Sequence, residues 1–135
     1  MRQVYTVQNH TKGTVRAYHC HDRLWDYFLI VKGSAKFVLF NYDAYGKIVG
    51  DDENFKNHKT ELFVNGSDAY KEYVTSDKRM QMVVVPPRWM HGWMPLEEET
   101  ILISVASQTY NPDKPDEERI PWDTLGKDIW KVKFK

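Results

Sequence analysis

The chain has 135 residues, enough for one domain around a single core, and its 41% hydrophobic and 14% aromatic content excludes a disordered segment. Nineteen basic and nineteen acidic residues cancel, which excludes the charge footprint of a nucleic-acid or anionic-membrane binder. Apolar runs of about six residues are far too short for a membrane span. The opening Met-Arg-Gln-Val-Tyr-Thr-Val-Gln lacks the apolar stretch of a signal peptide, and the lone Cys20 excludes an internal disulfide, so a cytoplasmic protein is expected.

In chain order, runs rich in Val, Ile, Phe and Tyr recur at 15–20, 27–31, 35–42, 61–64, 71–75, 81–85 and 100–106, a composition that favours strands. Turn residues punctuate them at Lys32-Gly33-Ser34, Asn65-Gly66-Ser67-Asp68, Ser76-Asp77 and Pro86-Pro87. The polar stretch 43–59 predicts a long exposed hairpin loop. No window of about eleven residues before the tail keeps a 3.6-residue apolar period. Seven or eight short strands with turn-rich gaps predict an all-β sandwich or jelly-roll barrel. Neither a repeat nor a boundary divides the chain, so 1–135 reads as one domain. Its tail, 110–135, is too rich in proline for a strand or a helix. That tail predicts a strap resting Tyr110, Ile120 and Trp122 on the barrel, with a short helical turn at 125–130 that Gly126 weakens.

Two spacings carry chemistry: Gly13-x5-His19-x-His21-x4-Asp26-x6-Gly33, and Pro86-x4-His91-Gly92-Trp93. Alternation along a strand sends His19 and His21 to one side and Cys20 to the other, where a buried thiol is inert. Asp22-Arg23 offers a turn after which Asp26 faces back toward the histidines, and His91 arrives on a separate strand. Three imidazoles and a carboxylate (His19, His21, Asp26, His91) suit one divalent ion such as Mn, Fe, Ni or Zn, with two octahedral positions left for water or substrate. The alternative is acid–base work by His19 alone, with His21 and His91 hydrogen-bonded at the barrel mouth. Arg16, three residues before His19, falls on the opposite strand face unless the strand bends; it is a phosphate contact or a surface ion pair. Arg88 is a candidate for holding an anionic ligand or narrowing the mouth, and Trp89, Trp93 and Tyr110 are stacking platforms or core filler.

The two spacings together resemble the cupins, small jelly-roll barrels. Arg16-x-x-His19, Val85-Pro86-x4-His91-Gly92-Trp93 and Tyr110-Asn-Pro-x4-Glu-x-x-Ile-x-Trp122-Asp123 then resemble one branch of them, the dTDP-4-dehydrorhamnose 3,5-epimerases and related dTDP-sugar epimerases. The resemblance runs from about Thr14 to Trp130 with gaps. It implies a cupin barrel with a proline-rich C-terminal strap, usually a homodimer, that epimerises or isomerises a nucleotide-linked 4-keto-6-deoxy sugar. His19 would be the general base beside the C4 ketone, Arg16 the grip on the diphosphate, and Trp93 the aromatic that stacks on the base. Tyr110 is the tail tyrosine available as the acid. The family's lysine falls at Asp26, its tyrosine acid at Ser104, its glutamine at His21 and a loop glycine at Arg88, and the aspartate that pairs with the base has no counterpart here. Two further readings stay open: a metal cupin acting on a small carbonyl or carboxylate substrate, and a non-catalytic sugar-binding cupin.

Overall fold

The computed structural model describes residues 3–49, 68–109 and 111–132. Among them, strands form at β1 (Gln3–His10), β2 (Arg16–Cys20), β3 (Asp26–Lys32), β4 (Ser34–Asn41), β5 (Tyr70–Ser76), β6 (Val83–Val85), β7 (Trp89–Pro95), β8 (Thr100–Ala106) and the two-residue β9 (Glu118–Arg119). They assemble into two antiparallel sheets, in the orders β1-β8-β3-β6 and β5-β4-β7-β2-β9. The all-β jelly roll expected from the spacing of apolar runs is the fold observed.

Alternation decides what enters the space between the sheets. On β3, Asp26, Phe28 and Ile30 point inward, opposite Ala106, Ser104 and Leu102 of β8. Phe28, Ile30 and Leu102 meet Ala35, Phe37 and Leu39 of β4 and Trp93 of β7 in one apolar cluster. The tight entry into β4 needs Gly33: its φ is +83°, and a Cβ there would run into the Thr100 hydroxyl.

β4 is buried at every residue from Ala35 to Phe40, because its second face is also covered. Val38 and Phe40 join Tyr18, Cys20, Tyr70, Met90 and Met94 on the outer side of the five-stranded sheet, beneath Leu125 and Trp130 of the tail. The tail thus acts as a strap, closed by a 3-10 turn at Lys127–Trp130 and tied by Trp130 Nε1–H donating to the Trp122 carbonyl at 3.1 Å. Burying a side chain such as Leu125 contributes about 2 kcal/mol. Even Lys36 is enclosed there, its ammonium donating to the Ile129 carbonyl and lying 3.5 Å from Glu72.

Three expectations need correction. Residues 43–49, the described part of the expected hairpin loop, are helical instead: Tyr42–Val49 is a helix, α1, whose first turn is capped by Asn41 Oδ1 accepting the Ala44 N–H at 2.9 Å. The rest of that stretch, and the strand expected at 61–64, lie outside the described residues. The tail is not free of strand either. β9 pairs with β2, and the ladder continues as Tyr18 and Ile120 exchange both backbone bonds at 3.1 Å. Finally, the strap is held by Leu125 and Trp130 rather than by Trp122, which is 40% exposed; Ile120 does pack inward, and Tyr110 lies outside the described residues. Among the described residues no helix is long and apolar enough to cross a membrane.

Candidate active site

The site begins with an irregularity in β2. Arg16 is opposite Trp93 and His19 is opposite His91, so three steps along β2 match two along β7. Such a bulge turns two successive residues to one side. Ala17 and Tyr18 both pack into the outer cluster, and Arg16 and His19 are left on the inner face with their cross-strand neighbours. Simple alternation would have separated them. Gly92 makes the bulge possible: a Cβ there would overlap the Ala17 side chain and lie 2.9 Å from the Arg16 carbonyl oxygen.

Alternation then resumes, sending Cys20 outward, where burial pushes its thiol up to about 11, and His21 inward. The turn after His21 is pinned by the strap. The Asp116 carboxylate accepts the backbone N–H groups of Asp22, Arg23 and Leu24 at 2.7, 3.0 and 3.2 Å, while its carbonyl accepts from His21 Nδ1. Burial would raise the Asp116 value, but these three donors hold it below the usual carboxylate range. From the opposite sheet, Asp26 Oδ2 reaches 2.9 Å from His21 Nε2 and 3.3 Å from His91 Nε2.

His19, His21, Asp26 and His91 therefore converge as the spacing predicts, with one donor atom from each within 4.8 Å of all the others. The His19 and His91 ring centroids are 4.2 Å apart. Burial, then the neighbouring His91 and His21, push the His19 value down to about 2, so this ring is neutral at any ordinary pH. For His21 burial acts downward, but the Asp26 hydrogen bond and the Asp116 carbonyl outweigh it and raise the value. Both His21 nitrogens face acceptors, the Asp116 carbonyl and the Asp26 carboxylate, an arrangement that favours its protonated form. Burial opposes ionisation of Asp26, yet the neighbouring His21 and His91 hold it well below the carboxylate range.

His91 is oriented differently. Its Nδ1 donates to the Trp89 carbonyl at 3.1 Å. Its Nε2 is buried 3.3 Å from Asp26 Oδ2 without forming a hydrogen bond. Two rings thus donate Nδ1–H to backbone carbonyls and turn Nε2 toward the carboxylate, the arrangement that metal-bound histidines adopt. The donor set fits a divalent ion.

The other expected residues divide. Trp93 is 7% exposed, with its ring stacked on Phe37, so it forms part of the core. Arg88, at φ +68°, is engaged by Asp22 and Asp43, both at 2.7 Å, and lies over the Tyr42 ring. Tyr110 lies outside the described residues. Ser104, at the family's tyrosine position, is fully buried. Sequence reasoning missed Asp116, whose only signal was an acid after Pro115 in a segment that reads as solvated. A shallow groove of about 550 Å³ bounded by Lys36, Glu72 and Ile129 lies on the outer face, away from the histidines.

No family model matches the chain. The fold superposes on dTDP-4-dehydrorhamnose 3,5-epimerase of Bacillus anthracis with a TM-score of 0.64 at 16% identity, over 90% of this chain and 59% of that one. The chain is 27% identical over 113 residues to the probable low-salt glycan biosynthesis epimerase Agl13 of Haloferax volcanii, covering 82% of this chain and 61% of that protein. It is 30% identical over 126 residues to the spore coat polysaccharide biosynthesis protein SpsL of Bacillus subtilis, covering 91% of this chain and 71% of that protein. The chain belongs to the dTDP-4-dehydrorhamnose 3,5-epimerase-like branch of the cupins. Within that family it is short, spanning about six-tenths of Agl13 and of the Bacillus anthracis enzyme.

For this epimerase-like cupin the bulge is testable. Gly92→Ala is expected to lower unfolding free energy by at least about 2 kcal/mol in chemical denaturation, since the new methyl meets backbone and not only side chain. Gly46→Ala, in open space on α1, is the control and should be neutral or stabilising by about 0.5–1 kcal/mol. A Gly92 variant as stable as the parent would mean that the bulge does not depend on this contact.

Proposed function

We propose that the chain epimerises or isomerises a nucleotide-linked 4-keto-6-deoxy sugar by moving a proton at a carbon beside the ketone. The observation that carries this is the placement of His19, partly exposed on the inner face with Arg16 on the same face of β2. Family membership supports the substrate class, and the Bacillus anthracis relative was solved with TDP and pyrophosphate bound. In the reaction His19 takes the proton, the C–H bond breaks as the N–H bond forms, and negative charge moves to the ketone oxygen. A second group, for which Tyr110 is the candidate, returns a proton to the other face.

His19→Asn keeps size and one hydrogen bond but removes the basic nitrogen. The variant should fold and still bind dTDP, while solvent deuterium entry into a dTDP-4-keto-6-deoxy sugar falls by about a hundredfold or more. Retained exchange would remove His19 from the mechanism. Absence of exchange in the parent protein, across several dTDP- and GDP-linked 4-keto sugars, would favour a sugar-binding role without catalysis.

The second reading, a metal-dependent cupin enzyme, is favoured by the buried, unpartnered Nε2 of His91 within the four-residue donor set. His19, His21, Asp26 and His91 would hold the ion, which when bound would polarise a substrate carbonyl. Elemental analysis of protein purified without added metal should then find about one Mn, Fe, Ni or Zn per chain. His21→Ala should lose the ion and melt at a lower temperature, because a ligand bound only by the folded state stabilises it by mass action. Metal-free parent protein with full activity would rule this reading out.

The proposed partner is a second copy. The outer face of the four-stranded sheet carries Val4, Val105, Tyr27 and Val84 in one cross-strand row, with Val4 and Val84 53% and 44% exposed. An apolar row of this kind can pair with its copy about a two-fold axis without like-charge repulsion along the row. Analytical ultracentrifugation should find a dimer that Val84→Lys converts to monomer; a monomeric parent at micromolar concentration would overturn the assignment.

A further inference from the structure

The strap contributes a residue to the site that the two sequence spacings do not contain. Across the five-stranded sheet one row of cross-strand neighbours runs Leu39, His91, His19, Arg119. Directly opposed residues of an antiparallel pair share a face. Leu39 belongs to the apolar cluster between the sheets, so Arg119 projects on the same inner side as His19 and His91, at the open edge of the sheet. The bulge in β2 brings Arg16 to that side as well. Two guanidinium groups, one from β2 and one from β9, thus flank the candidate base.

Arg119 is available for a ligand. Its side chain is 74% exposed, and its ion pair with Glu117, at 3.0 Å, joins adjacent parts of the strap. An exposed pair of this kind contributes little to stability, so exchanging Glu117 for a ligand anion costs little. Arginine's planar fork suits a phosphate, to which it can donate two parallel bonds. Its charge is also felt at His19, where it opposes protonation of the ring.

We infer that Arg119, together with Arg16, grips the diphosphate of the substrate, so that the strap helps to bind the nucleotide half while His19 faces the sugar. This rests on the nucleotide-sugar reading. The geometry accounts for a task that the expected residues leave open: Arg88 is engaged by two carboxylates, and Trp93 is in the core. A sugar nucleotide has its diphosphate attached at the anomeric carbon, one ring away from the carbons beside the ketone. Arg119, one strand spacing from His19, is suited to that separation.

The test is isothermal titration of the full chain with dTDP and, separately, with thymidine, in the parent and in Arg119→Gln, Arg119→Lys and Arg16→Gln. Arg119→Gln should weaken dTDP binding about tenfold or more, leave thymidine binding and melting temperature unchanged, and raise KM for a dTDP-4-keto sugar with kcat held. Arg119→Lys should recover part of the loss, since it keeps the charge and gives up the fork. Parent-like dTDP affinity in Arg119→Gln would overturn this inference alone, leaving the nucleotide-sugar reading intact. A parent protein that binds neither dTDP nor a dTDP-linked sugar would overturn both.

Discussion

Enclosing the Asp26 carboxylate between two sheets is the constraint around which the rest of the site is arranged. It is 3% exposed and flanked by apolar strand residues, and an unpaired carboxylate there would cost several kcal/mol. His21 offsets that cost as an imidazolium, which needs an acceptor on its second nitrogen, and the strap provides the Asp116 carbonyl. The Asp116 side chain in turn gathers three backbone donors of the turn between His21 and Asp26. Each polar group is satisfied by the next, from the middle of the sandwich to its surface.

The same carboxylate is why two chemistries share one set of residues. With His21 protonated, the site holds a neutral base, a cation and an anion side by side, suited to moving a proton and steadying an enolate. With that proton displaced, three imidazole nitrogens and a carboxylate oxygen converge as a ligand set. What separates the two is a single proton on His21 and the occupant of the space next to His91 Nε2.

Much of this was legible in the sequence because it depends on local periodicity. The His19-x-His21 pair, the inward Asp26, the arrival of His91 on another strand and the outward Cys20 all follow from alternation with turns between strands. β8 was readable because Thr100–Ala106 alternates without interruption. What was hidden depends on contacts between distant segments. The bulge in β2 arises from Ala17 meeting Gly92, so alternation alone assigned Arg16 to the wrong face. β7 was expected only as the strand that delivers His91, without bounds, and it carries Gly92 at its centre because another backbone approaches closely there. Helix α1 was missed because Asn41 and Asp43 suit a cap as well as a loop. Asp116 and Arg119 sit among prolines and acids that look solvated, and only pairing with β2 gives them a role.

The strap's reach has a consequence for how the protein comes into being. Asp116 and His21 are 95 residues apart in sequence, and Arg119 pairs with His19 across a separation of the same order. These residues are synthesised after the strands they pair with and are entropically demanding to bring home, because closing a long loop precedes any contact that rewards it. A nascent chain can therefore build most of the sandwich before its histidines acquire their final protonation pattern. The segment carrying Asp116 and Arg119 then completes the hydrogen bonding around His21 and the turn that follows it.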